Sequence, residues 1–244
     1  MFDDLKPHIA DLRKRLVISS ITLVIAFFAC FSFYEPILEW MMAPVKHALP
    51  VGTSMIAVEI QETFFTAMKV AFFAGFVLSL PVIFWQLWLF LAPGLYDHEK
   101  KLVIPFVFFA TLMFLIGASF AYYIVVPIGF DFLIAFGNSV VSVLPSIGKY
   151  VGFFTKLMIG FGIAFELPVI TFFLAKIGLV TDETLKGFFR YAVVLIFVVA
   201  AVLTPPDVIS QVLMALPLLF LYGVSIYIAK IFNPAKKDEE EEEE

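Results

Sequence analysis

The chain is 244 residues long, 62% hydrophobic and only 15% charged, with 31 phenylalanines and a mean hydropathy of +1.01; that balance excludes an ordinary soluble domain and marks a membrane protein. The formal net charge of −5 comes from the run 238–244, where seven acidic residues follow one another; without it 16 basic residues face 14 acidic ones, so the body is mildly basic. The single cysteine, Cys30, excludes an internal disulfide.

Six apolar runs follow one another, at 16–34, 70–91 (with a start at 64 also open), 102–126, 151–175, 188–203 and 208–229. A helix needs about 20 apolar residues to cross a hydrocarbon core of roughly 30 Å, and in lipid such runs must be helical because an isolated strand leaves its backbone unpaired. Ahead of the first run, Leu5, Ile9, Leu12 and Leu16 form one stripe, as in a helix lying along the inner membrane surface. Arg13, Lys14 and Arg15 before an apolar stretch ending at Cys30 faintly mimic a lipoprotein signal. Phe27 stands where that signal needs Leu, and the apolar run continues to Phe33, so the segment reads as structure.

Between the first two spans, EPILEWMMAPVKHALPVG predicts short helices resting on the membrane. Pro93 and Gly94 end the second span in WLFLAPGLYDHEKKL. The fifth span is short: 191–203 covers only about 20 Å at roughly 1.5 Å per residue, which predicts local bilayer thinning or snorkelling of Arg190. Thr204-Pro205-Pro206 stops it and reads as a tight hairpin, with Asp207 capping the sixth helix. The expected organisation is one six-helix membrane domain over 1–232 and a disordered acidic tail over 233–244.

With both termini inside, twelve basic residues lie on the inner side, and only Lys46, Lys69, Lys149 and Lys156 lie outside or near outer helix ends. The positive-inside rule therefore predicts cytoplasmic termini, with the longer loops, about 35–63 and 127–150, external.

KVAFFAGFVLSLPVIF (69–84) and KLMIGFGIAFELPVIT (156–171) align without gaps at six identities in sixteen. Convergence on a kinked-helix recipe or an old duplication both explain the echo. Ser79 occupies the place of Glu166, so the shared scaffold does not require the acid.

No catalytic constellation is present. His8, His47 and His98 all lie outside the apolar runs. HEKKL (98–102) lacks the second histidine of a zinc motif, no repeated acidic metal box exists, and no glycine-rich phosphate loop opens a helix. An enzyme, a metal and a cofactor are not expected.

Three acids remain as candidates. Asp11 lies within reach of Lys14 and Arg15 on its own helix, so a local ion pair worth about 0.2–0.5 kcal/mol is the plainer alternative to a binding role. Glu99 precedes Lys100 and Lys101 and reads either as a solvated charge or, with Asp11, as half of a carboxylate pair for a cationic ligand. Glu166 sits mid-span, where an unpaired carboxylate costs about 2.5–3.5 kcal/mol on insertion scales, so a cavity or a partner is expected. Gln86, Thr171 and Gln211 are other polar groups within apolar runs.

HIADLRKRL (8–16), APVKHALP (43–50), LFLAPGLYDHEKKL (89–102), FELP (165–168) and LTPPDVISQ (203–211), in this order among six spans, resemble the TatC family of the twin-arginine protein translocase. The resemblance covers nearly the whole chain. It implies a concave, glove-like bundle in the cytoplasmic (inner) membrane that binds twin-arginine signal peptides and supports export of folded proteins driven by the proton-motive force. It also implies the single-span partners TatA and TatB. Matched residue by residue, the family's signal-binding positions fall on Asp11, Glu99 and Phe90, and its cavity carboxylate on Glu166, with Gln211 as an accompanying polar group. Arg13, Pro44 and Asp207 fall on further motif positions. The family usually has Glu where this chain has Asp11, and the shorter arm shifts the expected burden towards Glu99. The acidic tail matches no family motif. Membrane lipid surrounds the bundle, a homo-oligomer stays open, and no nucleic-acid partner is expected. A small proton-coupled secondary transporter is the alternative, since kinked helices and a membrane carboxylate suit it too; a third reading is an assembly scaffold that binds no peptide.

Overall fold

A computed structural model of the chain describes residues 2–46, 55–91, 103–137, 144–204 and 208–233. Among these the protein is all-helical: α1 Phe2–Phe31, α2 Tyr34–Lys46, α3 Glu62–Leu91, α4 Val103–Phe120, a π-helical turn Ala121–Val125, α5 Val126–Gly137, α6 Ile147–Ala164, α7 Glu166–Lys176, α8 Asp182–Leu203 and α9 Val208–Phe232. Among the described residues six runs are long and apolar enough to cross a membrane, His8–Phe31, Glu62–Phe90, Val103–Ile134, Ile147–Lys176, Asp182–Leu203 and Val208–Phe232. They coincide in order and number with the six spans predicted from the sequence, and the chain is a multi-pass membrane protein.

Four boundaries differ from the sequence reading, each for a local reason. The segment 8–16 is not a separate surface helix but the start of α1, because no proline or glycine between His8 and Phe31 interrupts the helical pattern. The third span does not end at 126. It runs on through α5, because the wider π turn bonds the Val126 N–H to the Ala121 carbonyl and makes room for Pro127, whose ring would crowd a regular turn. The fourth span is interrupted at Phe165, three residues before Pro168, which has no N–H to return to the Ala164 carbonyl. The fifth span is a 22-residue helix, since Thr181 caps it through its side chain and Asp182 and Glu183 fill the first turn.

The chain forms two compact units, Met1–Leu112 with Phe130–Thr155, and Met113–Gly129 with Lys156–Glu244. In the first unit α1 lies along α3. A side chain on Gly75 would meet the Phe27 backbone at 2.8 Å, so glycine is what permits this approach. Phe154 is fully buried there, with the rings of Trp40 and Phe73 edge-on to it at 6.3 Å each. In the second unit α7 and α8 both pack on α9. The Phe172 and Phe232 rings meet edge to face at 4.8 Å, and the Tyr222 hydroxyl donates to the Leu185 carbonyl at 2.9 Å. Large apolar residues along α1 (Ile21, Ile25, Phe28) and α8 (Val194, Val198, Val202) stay exposed, as lipid-facing positions do.

Candidate functional site

The first group of candidate residues gathers where α1 begins and α3 ends. The His8 and Phe90 rings are 6.1 Å apart and tilted by 51°, so the first turns of α1 lie beside the last turn of α3. Trp88, buried one turn ahead of the end of α3, meets the Phe106 ring in a tilted pair at 4.7 Å and anchors this end to α4. Asp11 sits one turn after His8 and is half-buried. Its Oδ2 accepts a 2.7 Å bond from Arg15 Nε, so the expected local ion pair is formed and holds one carboxylate oxygen. Arg13 and Lys14 are exposed on the same turn. A mixed surface results, with a carboxylate, two exposed basic side chains, an aromatic ring and the exposed Ile9 and Leu16.

The second group surrounds Glu166, the first residue of α7. Its side chain is buried, and Oε1 has no hydrogen-bond partner among the described residues. Ser79, its counterpart in the echo, is equally buried but donates to the Gly75 carbonyl of its own helix at 2.7 Å. The serine bonds back within its own turn, whereas Glu166 Oε1 finds no partner among the described residues, although each helix carries a proline two residues on, Pro81 and Pro168. Gly162, one turn before Glu166, stands where Gly75 stands in α3. A Cβ there would lie 2.5 Å from the Phe114 ring, so α4 approaches this turn through the missing side chain. Gln211 does not pair with Glu166; its Nε2 donates to the Phe197 carbonyl at 3.0 Å and ties α9 to α8. Pro44 lies inside α2, one residue before the buried Val45.

A family model described as "Sec-independent protein translocase protein (TatC)" matches residues 7–217. The chain belongs to the TatC family. The TatC of Campylobacter jejuni is 56% identical over 245 residues, covering 100% of both chains, and that of Helicobacter pylori strain 26695 is 54% identical over 240 residues, covering 98% of this chain and 92% of its own. A solved structure described as the twin arginine translocase receptor TatC superposes with a TM-score of 0.85 at 39% identity, over 92% of this chain and 99% of that one. The TatC fold and membership of a protein-translocase family are thereby shown. Of the TatC motif positions, Glu99 and Asp207 lie outside the described residues, as does the tail beyond 233.

Sequence reasoning passed over Glu62 and Asp182. Asp182 is buried in the first turn of α8 and accepts from Lys186 Nζ at 2.7 Å. Glu62 accepts from Ser146 and from the Gly148 N–H, 84 and 86 residues away. Both were visible only as acids near a helix start, a common complement to the helix dipole.

Proposed function

We propose that this TatC-family protein is the receptor and core subunit of a twin-arginine translocase in the cytoplasmic (inner) membrane. Both termini face the cytoplasm, and its partners are signal-bearing folded proteins and the single-span subunits TatA and TatB. The observation that carries the reading is the His8–Phe90 contact. It brings Asp11 to the end of α3, from which Glu99 follows eight residues on in the chain. The Asp11 carboxylate beside aromatic and aliphatic surface, with a second acid close in sequence to the end of α3, suits a peptide that carries paired arginines ahead of an apolar stretch. The guanidinium fork bonds a carboxylate in two places, which a lysine ammonium cannot do. Glu166 serves the later step: its unpartnered oxygen offers a polar foothold within the membrane to an inserted signal or a partner helix.

The test is photocrosslinking of a twin-arginine signal peptide and its twin-lysine variant to probes placed near Phe90 and Glu99, in membranes containing the whole translocase. The twin-arginine peptide is expected to crosslink selectively. Equal crosslinking of both peptides would overturn the receptor reading.

A further inference from the structure

The α3 and α6 helices each begin with N–H groups that no helical carbonyl can satisfy. At α6 the cap is Ser146, whose Oγ accepts from the Lys149 N–H at 3.3 Å. The same hydroxyl donates to Glu62 Oε1, and that oxygen also accepts the Gly148 N–H at 2.7 Å. The other oxygen, Oε2, accepts from the N–H groups of Val58 and Glu59, on the approach to α3. Four donors thus converge on one carboxylate, three of them backbone N–H groups at the starts of two helices. Gly148 makes the fit possible: a Cβ there would lie 2.8 Å from Glu62 Cγ and Oε1, and would push the carboxylate away.

Backbone pairing runs beside the carboxylate. The Ile56 N–H donates to the Pro145 carbonyl at 3.1 Å and the Ile147 N–H to the Ile56 carbonyl at 3.0 Å, a single parallel bridge between Ile56 and Ser146. One turn into α6, the buried Tyr150 donates its hydroxyl to the Met41 carbonyl of α2. Among the described residues no basic side chain pairs with Glu62, and its charge is met by three backbone N–H groups and the Ser146 hydroxyl.

We infer that Glu62 is a positioning residue for translocation, a staple that holds the starts of α3 and α6 together and sets the rotation and axial register of α6. Because its bonds go to the first turn of α6, a twist or slide of that helix breaks them. The staple acts independently of the residues proposed to bind the signal and of Glu166.

The experiment uses the full chain with its partner subunits, in a Cys30→Ser background. Transport of a folded cargo and crosslinking of a twin-arginine peptide are measured for Glu62→Ala and Glu62→Gln. Transport by Glu62→Ala is expected to fall about tenfold or more, the factor that one hydrogen bond to a charged group is worth. Peptide crosslinking is expected to stay within about twofold, as it reports on the opposite end of α3 in a folded protein. Glu62→Gln is expected to fail nearly as badly, since its amide turns an N–H donor towards other donors. Thiol reactivity of a Leu144→Cys reporter is expected to rise in both. The decisive arm adds Ile56→Cys and Ser146→Cys to Glu62→Ala: oxidation to the disulfide restores transport and reduction abolishes it again. Wild-type transport by Glu62→Ala, parallel loss of transport and peptide crosslinking, or a formed disulfide without rescue would each overturn the staple. A wild-type protein that does not prefer twin-arginine peptides would instead sink the receptor reading alone.

Discussion

Asp11 and Glu99 are the two acids proposed to receive the arginines of a signal peptide. Asp11 already spends one oxygen on Arg15, and it has the shorter arm, so an incoming arginine must compete for it. Glu99→Lys is therefore expected to weaken a twin-arginine peptide more than Asp11→Lys. Loss of one charged pair, about 1.5–3 kcal/mol, corresponds to roughly ten- to hundredfold in affinity. A titration of labelled peptide into the purified protein measures it, and unchanged affinity in Glu99→Lys would remove that loop from the site. At Glu166 the orphaned Oε1 sharpens a second comparison. If the group works by hydrogen bonding, Glu166→Gln keeps most of the transport while Glu166→Ala loses it; if charge or proton transfer is needed, both fail alike. Peptide binding is expected to survive in either variant. Full transport by a folded Glu166→Ala protein would leave the carboxylate without a role.

At the scale of elements, the two echo helices use one recipe for different neighbours. Gly75 meets the Phe27 backbone and Gly162 meets the Phe114 ring, both closer than a Cβ allows. Gly75→Ala and Gly162→Ala are each expected to destabilise the protein by about 1–3 kcal/mol, the usual cost of overpacking. Gly75→Ala should be the worse of the two, because a backbone cannot step aside as a ring can. Gly152 and Gly187 have open space where a Cβ would sit, so alanine there is expected to be neutral or to stabilise by up to about 1 kcal/mol. Thermal unfolding of the four variants in one detergent ranks them, and an equal loss in all four would refute the close-approach argument.

For the whole molecule, the proposed orientation rests on the basic residues, and the structure selects the reporters. Leu144 and Leu179 are exposed residues in connections that the proposed topology places on opposite sides. In a Cys30→Ser background, Leu144→Cys is expected to react with a membrane-impermeant maleimide added to intact cells, while Leu179→Cys reacts only after permeabilisation. Ser146 is the poorer choice, since its hydroxyl belongs to the Glu62 network. The reverse labelling pattern would invert the topology and move Asp11 and Glu99 to the far side of the membrane.

The six spans, their order and the isolation of Glu166 were legible in the sequence because transfer into lipid is a nearly local sum over about 20 residues, and an acid within such a run stands out against it. The motif order was likewise sufficient for the family. Boundaries were less legible where helix geometry overrides composition, as where the π turn carries the third span past Pro127 and where α1 absorbs the expected surface segment. Only tertiary structure decided how polar groups are satisfied. Gln211 turns to Phe197 rather than to Glu166, and Glu62 finds partners 84 and 86 residues away, whereas Ser79 needs only a carbonyl of its own helix. Hydrogen bonds demand ångström-scale geometry between groups that packing alone brings together, and no local pattern of residues encodes that distance.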